Sequence, residues 1–454
     1  MIDLRLHEIC NLVSGEMYGE DKVISSVSID TRALTKGALY VAIKGEQFDG
    51  HEFIQQAEAA GAGALLLNER IDSALPQVVV ADTRLALAEL AGAIRDKAQV
   101  KVCGVTGSNG KTTVKEMISA ILAMQSSVLS TLGNFNNDIG VPLSLLRLEK
   151  SHEFAVIEMG ANHADEIAYT SRYAKPDVVV ITNVAAVHIE GFGCIDGVAS
   201  AKAEIIESLS EDGVAILNAD DDYFNLWRAI AGQRECLSFG LNDIADVRAE
   251  NISNTLQNEQ FISTFNLVFN EQKTAIKLAL AGEHNIKNAL AASAACIALG
   301  VDVAQIKQGL EQLNSVKGRM QLQATKKGYR VVNDSYNANP ASLQVALEAI
   351  HANATKFWVA LGEFGELGTE SSEIHKEMGL QIKRAGVTRL FATGELTKHT
   401  VDSFGDGASY YAQQGELIAA IQKEIECDVV LLVKGSRSQK MDVVVNSLID
   451  ETRN

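Results

Sequence analysis

The sequence predicts an α/β protein of three domains. Three observations carry that reading. The chain has 454 residues, about three times the usual domain length of ~150. Short apolar runs alternate with helical patterns from end to end, the signature of sheets covered by crossover helices. A glycine-rich loop also separates an apolar run at 100–105 from a helical stretch.

The first unit, 1–82, has apolar runs at 39–43, 64–67 and 78–80 around a helical stretch near 53–60, and reads as a small mixed α/β N-terminal domain. Residues 83–97 are helical in pattern and lead into the glycine-loop strand. The second unit, 83–315, carries buried-strand candidates at 154–157, 178–181 and 214–217, which implies a mostly parallel sheet. Residues 246–280 alternate polar and apolar and read as a β-rich excursion, and 289–298 as an Ala-rich helix. The third unit, 316–454, has strand candidates at 330–332, 357–361, 390–392 and 429–433 and reads as a C-terminal Rossmann-like domain. Its glycines between Gly362 and Gly368 lack the G-x-G-x-x-G spacing, so NAD binding is rejected.

The net charge of −18 disfavours nucleic acid and anionic membranes as partners, because phosphate-rich surfaces attract positive patches. Asp3, Arg5 and Glu8 leave no apolar leader region, and no run approaches membrane-spanning length. The six cysteines form no C-x-x-C pair and read as reduced, buried thiols of a cytoplasmic protein.

Gly107-Ser108-Asn109-Gly110-Lys111-Thr112-Thr113 is the strongest chemical signal. Glycines let backbone N–H groups face an anion, and a helix N-terminus adds positive partial charge. Lys111 is suited to terminal phosphates and the Thr112 hydroxyl to Mg²⁺. The common G-x-x-x-x-G-K-[ST] spacing would need glycine at 105, where Val105 stands. The bland alternative is an ordinary strand-to-helix turn. With its context, the loop makes the central unit a P-loop-type ATPase.

Other candidates follow strand ends. Glu158 ends the run 154–157 and is either a solvated carboxylate or a Mg²⁺ ligand beside Thr112. His188 follows a second strand end and is either a hydrogen-bonded structural residue or a ligand. Lys202 falls on the helical stripe of Val198, Ile205 and Leu209. Pattern alone favours a snorkelling side chain there; the sharper reading is a neutral amine carbamylated by CO₂. Asn134, Asn136 and Asn137 precede a helix, as turn residues or as substrate-binding amides. Asn285 either caps the Ala-rich helix or reads an adenine edge. Arg319 sits at a domain junction, suited to clamping phosphate after closure. Asp334, Tyr336 and Asn337 follow another strand end. Lys434 and Ser436 follow the last strand and open a helix, a second anion site. Ser28, Asp30 and Arg32, with Gly45, Asp49 and His51, offer hydroxyls, a guanidinium and glycine backbone to an anionic ligand.

In this order, these stretches resemble the Mur ligase family over essentially the whole chain. Asn134-x-Asn136-Asn137-x-Ile139-Gly140-Val141-Pro142 is the most specific of them. The resemblance implies a UDP-sugar-binding N-terminal domain, a central ATP-binding domain and a closing C-terminal domain. It implies an ATP-dependent ligase joining D-Ala-D-Ala to UDP-MurNAc-tripeptide, with small-molecule substrates and a monomeric chain. It makes Lys111 a phosphate ligand, places one Mg²⁺ on Thr112 and Glu158, and a second on His188 and carbamylated Lys202. Asn285 would contact adenine, and Arg319 and Asp334 would reach ATP. Two rivals remain: a folylpolyglutamate ligase, whose glycine loop lies nearer the chain start, and a nucleotide-dependent switch without ligation.

Overall fold

The computed structural model describes residues 2–45, 48–185, 189–257, 260–280, 282–313, 318–351, 354 and 356–450. Its centre is a nine-stranded sheet. The glycine-loop strand Lys101–Thr106 lies between Val178–Ile181 and Phe154–Glu158, parallel to both. The run Val178–Ile181 is buried along its whole length, as expected of a parallel strand covered on both faces. Val214–Asn218 and Glu235–Gly240 continue the sheet on one side, and Val128–Ser130 closes the other.

The β-rich excursion extends this same sheet. Val247–Gln257 joins Glu235–Gly240 in parallel, and Gln260–Phe269 and Gln272–Leu278 follow antiparallel. The Ala-rich helix, Glu283–Ala298, packs against the glycine-loop helix Lys111–Leu122 and the sheet. Ala289, Ala291, Ala292, Ala294 and Ala295 are fully buried there, and their small side chains permit the close approach.

The N-terminal sheet has the order Glu16–Tyr18, Gln77–Val79, Ala64–Leu67, Leu39–Val41, Val27–Ser28. Helix Thr83–Lys97 follows, capped by Asp82, whose side chain accepts from the backbone N–H of Arg84 and Leu85 at 2.8 and 3.0 Å. Its Leu87, Leu90 and Ile94 belong to one apolar cluster that runs from Leu4 through Val78 to Ile181 and Leu217. The first two sheets therefore share a core through this helix.

The C-terminal sheet has six strands, in the order Gln321–Ala324, Arg330–Asp334, Val429–Lys434, Lys356–Gly362, Arg389–Thr393, Ala408–Tyr411. All its pairings are parallel except the first. Val331 and Val332 enter separate apolar clusters on opposite faces, as strand alternation requires.

Three sequence expectations need correction. The Lys434–Ser438 stretch does not open an α-helix: a short 3₁₀ turn, Arg437–Gln439, ends at left-handed Lys440 (φ 49°), and the helix starts at Asp442. Asn285 is no cap: it stands inside the helix, and Gly282 (φ 86°) occupies the cap position. Of the cysteines only Cys10, Cys103 and Cys296 are buried; Cys194 and Cys427 are exposed, Cys236 lies between, and all six are free thiols.

Candidate active site

The glycine loop is held open by the neighbouring strand end. Ser108 N–H donates to Asn183 O at 2.9 Å, and Asn109 N–H to Asn183 Oδ1 at 3.0 Å. Two positions demand glycine. A Cβ on Gly107 (φ 141°) would lie 1.9 Å from Thr182 Oγ1, and one on Gly110 (φ 81°) 2.3 Å from Asn288 Oδ1. Gly110 then caps helix Lys111–Leu122. Lys111 folds back over the loop, its Nζ donating to Gly107 O at 2.6 Å and Ser108 O at 3.2 Å. Burial lowers its pKa and Arg319 adds to the effect, while Glu158 opposes it.

Glu158 is not a solvated carboxylate. It is 2% exposed, and it forms no ion pair among the described residues. Its Oε2 accepts from the Thr112 hydroxyl at 2.9 Å and its Oε1 from Asn136 Nδ2 at 2.8 Å. A buried carboxylate with only neutral donors is costly unless a cation joins it. Thr112 and Glu158 thus offer hard oxygen ligands that fit Mg²⁺.

Lys202 does not snorkel. On helix Ile195–Glu207 it is 1% exposed among Val198, Ile205 and Leu209, and its Nζ lies 5.2 Å from the Phe192 ring centroid. No hydrogen bond or ion pair reaches Nζ among the described residues. Burial, then the nearby Lys111, lowers its pKa to about 7. The amine lines the same cleft as Glu158. A neutral buried amine of this kind fits CO₂ addition.

That cleft, about 390 Å³, lies between the central and C-terminal sheets. Gly107 to Thr112, Asn134, Asn136 and Asn137 line one side; Arg319, Tyr336, Asn337 and Ser436 line the other. The Arg319 guanidinium stacks 4.4 Å from the Tyr336 ring centroid, and its buried Nε has no hydrogen-bond partner among the described residues. Asn339 Nδ2 donates to Asn109 Oδ1 at 2.7 Å, tying the C-terminal sheet to the glycine loop.

Asp334 and Lys434 lie behind this surface as a buried ion pair at 2.5 Å, with Met320 N–H donating to the other carboxylate oxygen at 3.2 Å. Neither lines the cleft. Lys434→Met would strand a buried carboxylate and is expected to destabilise the fold by about 3–5 kcal/mol. Thermal melting checks this: the single variant melts well below the parent, and adding Asp334→Leu restores most of the loss.

Other candidates lie elsewhere. Thr113 is buried and outside the cleft lining. Asn285 is buried, its Oδ1 accepting from Asn288 Nδ2 at 3.2 Å. In the N-terminal sheet, Asp30 holds Arg32 through its guanidinium and backbone, which lowers the Asp30 pKa to about 2. Ser28 Oγ caps the same turn, accepting from Asp30 N–H at 3.1 Å. Asp49 pairs with His51 Nδ1 at 2.6 Å, and Gly45 N–H closes that loop onto Phe48 O at 2.9 Å. His188 lies outside the described residues.

Sequence reasoning did not single out Asn183 and Asn339, which bond to the glycine loop, or Lys115, buried on the helix that follows it. The first two act across long separations and leave no local signal. Lys115 left one: it shares a helical stripe with the buried Ile118 and Leu122, the signal that singled out Lys202.

A phosphate loop on a mostly parallel sheet, facing a second α/β unit across a cleft, defines a nucleotide-dependent α/β protein. Residues 23–100 match the description "Mur ligase family, catalytic domain", 105–296 "Mur ligase middle domain" and 318–437 "Mur ligase, glutamate ligase domain". The chain belongs to the Mur ligase family. It is 40% identical over 451 residues to the UDP-N-acetylmuramoyl-tripeptide–D-alanyl-D-alanine ligase of Escherichia coli K12, covering 99% of both chains. A crystal structure of MurF from Acinetobacter baumannii superimposes with TM-score 0.91 at 35% identity, covering 99% of both chains. The Thermotoga maritima MurF ligase in complex with ADP superimposes with TM-score 0.81 at 27% identity, covering 94% of this chain and 98% of that one.

Proposed function

We propose that this chain is an ATP-dependent carboxylate–amine ligase that adds D-Ala-D-Ala to UDP-MurNAc-tripeptide in peptidoglycan precursor synthesis. The relatives named for that reaction support it over full length. The observation that carries it is the single cleft joining the glycine loop, Glu158, the asparagine loop, Lys202 and Arg319. A nucleotide switch would use the glycine loop, a metal-binding carboxylate and an arginine, but it leaves the asparagine loop and the Ser28 motif without a job.

The tripeptide's terminal carboxylate attacks the γ-phosphorus of ATP, giving an acyl phosphate and ADP. The amine of D-Ala-D-Ala attacks the activated carbonyl, loses a proton, and the tetrahedral intermediate expels phosphate. Two anions must approach in the first step. Lys111 and Arg319 place positive charge on either side of the cleft to offset their repulsion. Thr112 and Glu158 would hold one Mg²⁺, and His188 with carbamylated Lys202 a second. Bound there, the ions would screen phosphate charge and polarise the transferred phosphoryl group. Asn134, Asn136 and Asn137 would orient the acceptor, with Tyr336, Asn337 and Ser436 facing it. Asn285 and Asp334 would serve the nucleotide.

The proposed division is a UDP-sugar domain at 1–82, with Ser28, Asp30, Arg32, Gly45, Asp49 and His51 at its site, an ATP domain at 83–315 and a closing domain at 316–454. Closure would keep water from the acyl phosphate. We further read the protein as a cytoplasmic monomer; among the described residues no helix is long and apolar enough to cross a membrane.

Phosphate release tests the reaction. With ATP, Mg²⁺ and UDP-MurNAc-tripeptide present, D-Ala-D-Ala is expected to drive release in step with amide formation. Release indifferent to the amine would sink this reading.

A further inference from the structure

Lys115 is a buried cation that the proposed reaction does not use. It sits on the glycine-loop helix at 1% exposure. Its Nζ donates to Thr131 O at 2.8 Å and reaches Glu116 Oε1 at 2.6 Å on the half-exposed side of the helix. Burying an ammonium is costly, and the half-exposed Glu116 carboxylate offsets only part of that cost. An apolar side chain could fill the same space but could not make the directed hydrogen bond to Thr131 O.

What it holds is informative. Strand Val128–Ser130 pairs with its neighbour only as far as Ser130, opposite Val156. Thr131 N–H makes the last bond to that neighbour, to Val156 O at 3.1 Å, and the Thr131 carbonyl, where the chain turns away, takes Lys115 as donor. The Thr131 hydroxyl accepts the backbone N–H of Glu158 at 3.0 Å. Five residues later Asn136 returns to the same place: its Nδ2 donates to Glu158 Oε1 at 2.8 Å, and its carbonyl accepts Gly160 N–H at 2.8 Å. Lys115, Thr131, Asn136 and Glu158 form one connected set around a single carboxylate.

We propose that Lys115 is a positioning residue: it fixes Thr131 at the point where the chain leaves the sheet, and thereby sets both the Glu158 carboxylate and the asparagine loop over it. This rests on Glu158 as a divalent-cation ligand. Lys115 never touches substrate; its effect passes through Thr131.

Manganese binding with ADP present, read by electron paramagnetic resonance, tests this without turnover. Lys115→Met is expected to weaken Mn²⁺ about tenfold or more, the usual range for an outer-shell partner. Metal-free ADP affinity should stay within about twofold, and Lys115→Arg should recover most of the Mn²⁺ affinity. Unchanged Mn²⁺ affinity in folded Lys115→Met overturns the proposal. Equal losses of Mn²⁺ and ADP affinity also overturn it, since they indicate a merely structural role. If Lys115→Met does not fold, Thr131→Val removes only the hydroxyl link. A parental Mn²⁺ affinity in that variant overturns the proposal equally. Turnover of the parent is scored separately, so failure of the ligase reading is distinguishable from failure of this one.

Discussion

Lys202→Ala is expected to lower ligase turnover by about 10³-fold, the scale lost when a preorganised charge-stabilising group leaves a dry site. The argument starts from position. Lys202 lies on the apolar stripe of its helix, is 1% exposed, and has its Nζ 5.2 Å from the Phe192 ring centroid. Burial and Lys111 together hold its pKa at about 7. Above that pH the amine is mostly neutral, the form that adds CO₂ and releases a proton to give a carbamate. Such a modification would put an anion where a neutral amine stood in the cleft lining, which would favour a divalent ion there. Bicarbonate, formate or acetate should restore part of the activity in Lys202→Ala and have no such effect on the parent. Steady-state rates with and without these anions check both halves. Undiminished activity in Lys202→Ala would remove the residue from the mechanism.

Glu158→Gln should cost turnover about 10²–10³-fold with little loss of fold. The substitution keeps the shape and leaves an oxygen for the Thr112 hydroxyl or Asn136 Nδ2, whose bonds to the carboxylate are 2.9 and 2.8 Å. It removes the negative charge. The buried carboxylate has only neutral hydrogen-bond donors and meets Lys111 only through space, so in the metal-free protein the amide variant should melt close to the parent. The combination of slower turnover, weaker Mg²⁺ activation and unreduced melting temperature marks a metal ligand. A parallel loss of stability and rate would mark a structural carboxylate instead. Mg²⁺ titration of phosphate release and a thermal melt separate the two.

Much of the fold was legible because local chemistry and tertiary demands agree. The helical pattern of 83–97 gave the Thr83–Lys97 helix to the residue, and the Asp82 cap explains its sharp start. Four consecutive branched residues gave Val178–Ile181. The Thr-, Asn- and Phe-rich alternation gave the β-excursion, although its merger with the central sheet is a pairing that sequence does not display. Edge strands escaped notice: Gln321–Ala324 carries two glutamines, and Ala408–Tyr411 is half-exposed along its length, so neither forms an apolar run. In the site, the glycine loop was legible from spacing and Lys202 from its stripe. Lys115 obeys the same stripe rule, on the helix that follows the glycine loop, and was not singled out. The Asp334–Lys434 pair joins residues 100 positions apart, and the Asn109–Asn339 contact spans 230. Such separations carry no local signal. Asn285 looked like a cap because amides favour caps, whereas left-handed Gly282 takes that position and turns the amide inward.

The central claim is that this cleft activates a carboxylate by phosphorylation before the amine attacks. Oxygen-18 in the terminal carboxylate of UDP-MurNAc-tripeptide tests it most directly. Mass spectrometry of the released phosphate should find one labelled oxygen in each phosphate formed together with the amide. Amide formation accompanied by unlabelled phosphate would contradict the acyl phosphate route.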